Sequence, residues 1–117
     1  MQIANKDEKE VIAGLIAMIK RMGYKNDHPD KEYSWWYNND GVFPFDLINT
    51  ETLMNNDVAM QHFLLRVINK IGISHDVRID FIRYECSVQI VDKSISHRSK
   101  SLNEALFLSI NDYINKK

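Results

Sequence analysis

Residues 77–90 read VRIDFIRYECSVQI, and the period of two in this stretch decides the fold class. Val77, Ile79 and Phe81 alternate with Arg78 and Asp80; further on, Cys86, Val88 and Ile90 alternate with Ser87, Gln89 and Val91. Alternation places the apolar side chains of a strand on one face, so the two runs predict an antiparallel hairpin turning between Ile82 and Glu85. An isolated hairpin is marginal in water and needs further strands or a helix against its apolar face.

Both are available on either side. After the hairpin, Ser101 followed by Glu104 has the form of a capping box, and Ala105, Leu106, Ser109, Ile110 and Tyr113 continue as an amphipathic helix. Between them, residues 93–100 carry Ser94, Ser96 and Ser99 among basic residues, with Ile95 as the one large apolar side chain, and are expected to form a mobile loop. Before the hairpin, Asn55, Asn56 and Asp57 are all credible N-caps for a helix running to Ile71 and closed by Gly72. Met60, Phe63, Leu64, Val67, Ile68 and Ile71 fall on one face of it. Residues 47–54 show no clear period.

Nearer the N-terminus, residues 32–37 are aromatic and alternating, which predicts a strand, and Asn38, Asn39, Asp40 and Gly41 supply a turn. Residues 42–45 return as its partner, with Pro44 at an edge or strand end because it lacks an amide donor. Residues 7–22 form the first helix. Val11, Ile12, Leu15, Ile16, Ile19 and Met22 make its apolar stripe, acidic residues fill its first turn, Lys20 and Arg21 its last, and Gly23 ends it. Gly14, inside this helix, marks a close helix contact. The expected fold class is therefore α+β in the order α-β-β-α-β-β-α, an α/β sandwich with one four-stranded antiparallel sheet packed against three helices. At 117 residues, with no linker or repeat, 1–117 reads as a single domain.

Composition narrows the function classes. One cysteine, Cys86, excludes an intramolecular disulfide and a multi-cysteine zinc site, and makes the cytoplasm the expected location. The first apolar run, residues 11–19, is too short for a membrane span and is preceded by charges unlike those of a signal peptide, so no membrane partner is expected. Fifteen Lys and Arg against sixteen Asp and Glu exclude a generally cationic protein. That balance is a cancellation. Residues 1–59 hold six basic and ten acidic side chains, a balance of minus four, whereas residues 60–117 hold nine and six, a balance of plus three.

No catalytic constellation stands out. His28, His62, His75 and His97 lie on different elements, with no second histidine three or four residues away to make a helical metal pair. Cys86 lies in a strand without an activating neighbour, and the isolated glycines form no phosphate-cradling loop. The expectation is a non-enzymatic protein with no cofactor and no metal. Two features suit binding instead. In the run Tyr33, Trp35, Trp36 and Tyr37, a strand points Trp36 to the face opposite the others. Rings buried under helices on both faces are one reading of this run, and a partner-binding anchor or base-stacking platform is the other. Arg78, Arg83, Lys93, Arg98 and Lys100 concentrate in the second hairpin and the loop after it. They suit a solvated face, an acidic protein surface or RNA phosphates.

The chain also resembles the phage ABA sandwich domain family. The matching features are a first helix ending at Met22 and Gly23, the Trp36 and Tyr37 strand and turn, and Phe43 with Pro44 before an Asn- and Asp-rich helix start. They continue with the hairpin bearing Val88 and Ile90, and with Ser101, Leu102, Ala105 and Leu106 opening the last helix. The stretches 27–32 and 47–54 are longer than that pattern. The resemblance implies a sheet between helix layers and a phage or prophage protein acting inside a bacterium. It brings no catalytic residues with it. The function expected on these grounds is an anti-defence inhibitor of the anti-CRISPR kind, acting by stoichiometric contact with a host protein or ribonucleoprotein. The alternative is a small RNA- or nucleotide-binding protein using the aromatic strand and the basic hairpin.

Overall fold

The computed structural model describes residues 3, 6–26, 35–38 and 46–116. Its elements in order are α1 (Glu8–Arg21), β1 (Trp35–Asn38), β2 (Asp46–Asn49), α2 (Thr50–Asn55), α3 (Asp57–Lys70), β3 (Val77–Ile82), β4 (Glu85–Ile90), β5 (Ile95–Ser99) and α4 (Leu102–Asn115). A short 3₁₀ turn, Val91–Lys93, links β4 to β5. The fold is α+β. Among the described residues it holds four α-helices rather than three, and two sheets rather than one of four strands: β1 pairs with β2, and β3, β4 and β5 form an antiparallel sheet in that order.

The second sheet is built around residues 77–90. Val77, Ile79 and Phe81 stand beside Ile90, Val88 and Cys86, with Arg83 and Tyr84 as the turn. The third strand of this sheet is β5 rather than a strand of the first hairpin, and it pairs with β4, setting Ile95 against Ile90 and His97 against Val88. Residues 95–99 are therefore a strand, not the mobile loop the serines suggested. Ile95 is buried and His97 and Ser99 half-buried, while Ser96 and Arg98 are exposed, an alternation carried by one strongly apolar residue. Ser94 makes the approach sharp by adopting the left-handed conformation, φ 55°, directly before the strand.

The first sheet is separate, and its β1 edge is occupied by a short bridge. Lys25 and Tyr37 exchange backbone hydrogen bonds of 2.8 and 2.9 Å on the side of β1 away from β2. β2 is formed by residues 46–49, from a stretch without a visible period; the expected partner strand 42–45 lies outside the described residues. α2 follows at once, with Asn49 Oδ1 accepting from Thr52 N at 2.9 Å as its N-cap. Asn56 then caps α3, accepting from Ala59 N at 3.0 Å, so one of the three expected caps is the one used.

α4 covers the inner face of β4 and β5, and α1 and α3 pack against α4 in turn. Both sheets bury side chains in one apolar cluster, with Trp36 and Ile48 from the first and Val88, Ile90 and Ile95 from the second joining Leu15, Leu64, Leu106 and Phe107 from the helices. Gly14 sets the α1–α4 approach: a Cβ there would stand 2.6 Å from Phe107 Cζ, well inside contact distance. No helix among the described residues is long and apolar enough to cross a membrane.

Candidate binding surface

The alternation of the aromatic strand is realised in β1. Trp36 is 2% exposed and in the core, whereas Trp35 is 61% exposed. The two indoles therefore point to opposite faces, and the reading in which all the rings are buried fails at Trp35. Tyr37 is half-buried and Tyr33 lies outside the described residues. Trp35 stands opposite Asn49 and Tyr37 opposite the exposed Leu47, so these four share the outer face of the β1–β2 ribbon. Beside it, Leu47, Asn49, Thr52, His62 and Arg66 rim a shallow cleft of about 260 Å³ floored by Leu53 and Phe63. Its polar rim is partly engaged by the fold itself. Asn49 caps α2, and Arg66 Nη2 donates to the Tyr24 hydroxyl at 2.6 Å.

The basic residues lie on the other sheet. Arg78 and Arg98 project from its outer face, which no helix among the described residues is seen to cover. Cross-strand rows on that face run Arg78, Gln89, Ser96 and Asp80, Ser87, Arg98. Ser87, small and central, is buried between its neighbours, while Arg78, Asp80, Ser96 and Arg98 are exposed. Arg83 sits in the hairpin turn and Lys100 directly after β5, both at the same end of the sheet; Lys93 lies in the 3₁₀ turn at the opposite end. Arg98 Nε meets Glu85 Oε2 at 3.7 Å and Lys93 Nζ meets Asp92 Oδ2 at 4.0 Å, both exposed pairs worth little in stability. Arg78, Arg83 and Lys100 make no ion pair among the described residues.

The structure thus gathers Arg83, Arg98 and Lys100 at one end of a sheet but places Trp35, Trp36 and Tyr37 on a different one. Sequence reasoning missed what sits between the basic residues. Phe81 is 71% exposed, Ile82 51% and Tyr84 89%, forming an apolar tip around Arg83. Phe81 shares the inward alternation of Val77 and Ile79 but lies on the outer strand, away from the β4 and β5 face that α4 covers. One signal was available: a two-residue turn spelled Arg-Tyr contains none of the usual turn formers, and Arg83 adopts a left-handed φ of 57°. A turn that is conformationally costly and apolar at its flanks points to contact rather than connection.

His97 is the one described histidine that meets a carboxylate. Its Nε2 lies 2.5 Å from Asp112 Oδ2, joining β5 to α4. With the carboxylate ionised, Nε2 carries the proton and donates. Ser109 Oγ donates to Val88 O at 3.3 Å and is wholly buried, a second polar tie between α4 and the sheet. Among the described residues no three His, Cys, Asp or Glu side chains gather as a metal site would need, and Cys86 is buried. Comparison with protein-family models, with curated proteins and with solved structures finds no match for this chain.

Proposed function

We propose that the protein is a non-catalytic binding protein acting by stoichiometric contact, and that the end of the three-stranded sheet is its contact surface. The observation that carries this reading is the exposed tip, where Ile82 and Tyr84 flank Arg83 with Arg98 and Lys100 beside them. Aromatic and arginine side chains are the residues most often found at the centre of protein interfaces, because they cover large area and pair with carboxylates. The partner of this chemistry is a protein surface with an apolar pocket rimmed by acidic groups. The resemblance to phage proteins supplies the setting: a host defence protein or ribonucleoprotein in the bacterial cytoplasm, inhibited by occupation rather than by chemistry.

RNA or nucleotide binding is the second reading, and Trp35 is the observation in its favour, since an exposed indole can stack on a base. The outer face of the three-stranded sheet offers Ser87, Gln89 and Ser96 rather than rings, so stacking and phosphate contact would come from separate sheets.

Capture by the tagged protein from nuclease-treated lysate of a defence-bearing bacterium tests the first reading. The wild type should hold a partner in equimolar amount, and Arg83→Glu or Tyr84→Ala should reduce that capture by about tenfold while leaving the fold intact. Recovery of no equimolar partner, or of one indifferent to both substitutions, rejects it. Salt-sensitive retardation of RNA at micromolar protein, lost in Trp35→Ala, would instead establish the second.

A further inference from the structure

The β3 edge of the three-stranded sheet, with no other described strand beside it, carries charges that complement their own two-fold image. β3 is the edge strand, six residues long, with β4 as its one strand neighbour among the described residues. Which of its peptide groups face outward follows from one hydrogen bond. Val91 N donates to Asp76 O at 2.9 Å, one step beyond the Val77–Ile90 pair, so 76 and 91 are a hydrogen-bonded pair of the ladder. Antiparallel pairs alternate in kind, so Arg78, Asp80 and Ile82 turn their N–H and C=O groups to β4, while those of Val77, Ile79 and Phe81 point away from it. Three donors and three acceptors along an edge that no described strand covers are a template for another strand.

We infer that this strand is β3 of a second copy of the chain, joined antiparallel about a two-fold axis at Ile79 to make a continuous six-stranded sheet. Side chains directly opposite one another lie on the same face, so the register decides which charges meet. A two-fold at Arg78 sets arginine against arginine, and one at Asp80 sets carboxylate against carboxylate. An axis at either end of the strand loses most of the overlap. At Ile79, each Arg78 stands opposite Asp80 of the second copy, giving two ion pairs on the outer face. On the inner face each Phe81 stands opposite Val77 of the second copy. The outward-facing peptide groups of Val77, Ile79 and Phe81 then pair with one another. This register also accounts for three observations at once: Phe81 is exposed in the single chain, Val77 and Ile79 are half-buried, and neither Arg78 nor Asp80 has an ion-pair partner among the described residues. Edge strands ordinarily carry charge to repel other strands. Here the two charges, two residues apart on one face, are complementary to their own two-fold image.

The proposal does not rest on the contact surface at the hairpin tip, with which it shares Phe81 but neither Arg83 nor Tyr84, and is tested by oligomeric state. Sedimentation equilibrium of the wild type, from micromolar to near-millimolar concentration, should show a reversible monomer–dimer equilibrium. Arg78→Asp and Asp80→Arg, both at exposed positions, should each weaken the dimer by about tenfold or more by setting like charges opposite one another, and the double exchange Arg78→Asp with Asp80→Arg should restore it. Circular dichroism of the same samples confirms that each variant is folded. A wild type that stays monomeric throughout overturns the inference, as does a dimer untouched by either single substitution or one not restored by the exchange.

Discussion

Gly14 and Phe107 fix how closely two helices approach. Replacing Gly14 with alanine favours the helix by about 1 kcal/mol through backbone entropy. It also places a methyl group 2.6 Å from a ring atom of Phe107, which is wholly buried and has nowhere to retreat. Overpacking of this kind costs about 1–3 kcal/mol, so packing outweighs propensity, and Gly14→Ala should lower the urea midpoint of unfolding by the equivalent of about 1 kcal/mol. A rise in the midpoint would mean that the helices part easily. The sequence signals this contact only as a glycine where a helix would prefer another residue; that the opposing group is Phe107 depends on a partner 93 positions away, which no local pattern encodes. The division between Trp35 and Trp36 was legible, since period-two geometry alone sends neighbouring side chains to opposite faces. Which of the two faces inward was not, because either indole satisfies the pattern.

At the scale of elements, polar caps were the most legible features. Ser101 accepts from Glu104 N at 3.3 Å, as the capping-box spacing had marked, whereas Asp7, expected inside the first turn, is the N-cap of α1 and accepts from Glu10 N at 2.8 Å. Asn56 is the most exposed to test, because it ends α2 and begins α3 with no residue between. Its side chain satisfies one of the orphan donors of α3, so Asn56→Ala should destabilise the protein by about 1 kcal/mol, whereas Asn56→Asp should be near neutral in the same denaturant titration. The elements that escaped the reading are those whose stability comes from tertiary contact. α2 is six residues long, below the length at which a helix is recognisable or stable by itself, and is held by burying Leu53 and Met54. β5 has one strongly apolar residue and owes its order to pairing with β4 and to the His97–Asp112 tie to α4. The tip at Phe81, Ile82 and Tyr84 was hidden for the converse reason: a strand pattern tells which side chains share a face, not how far the covering helix extends over it.

Across the whole molecule, a near-zero net charge conceals a sheet with one face set in the core and the other charged and open. Association through such a sheet links folding to concentration, because a dimer formed only by the folded chain raises its apparent stability by mass action. The midpoint of thermal unfolding should therefore climb as protein concentration rises from micromolar to near-millimolar, and in Arg78→Asp the climb should begin at a concentration about tenfold higher or more; calorimetry at three concentrations checks this. The two tryptophans make the molecule legible in another way. They are the only indoles in the chain, adjacent in sequence and divided between interior and surface. Native emission should therefore be a sum of two unlike sources, a blue-shifted one from the buried Trp36, shielded from iodide, and a red-shifted one from the exposed Trp35, open to quenching. Loss of the first reports unfolding and a change confined to the second reports contact at the ribbon, so the unlabelled protein carries separate optical gauges for its core and for one of its surfaces.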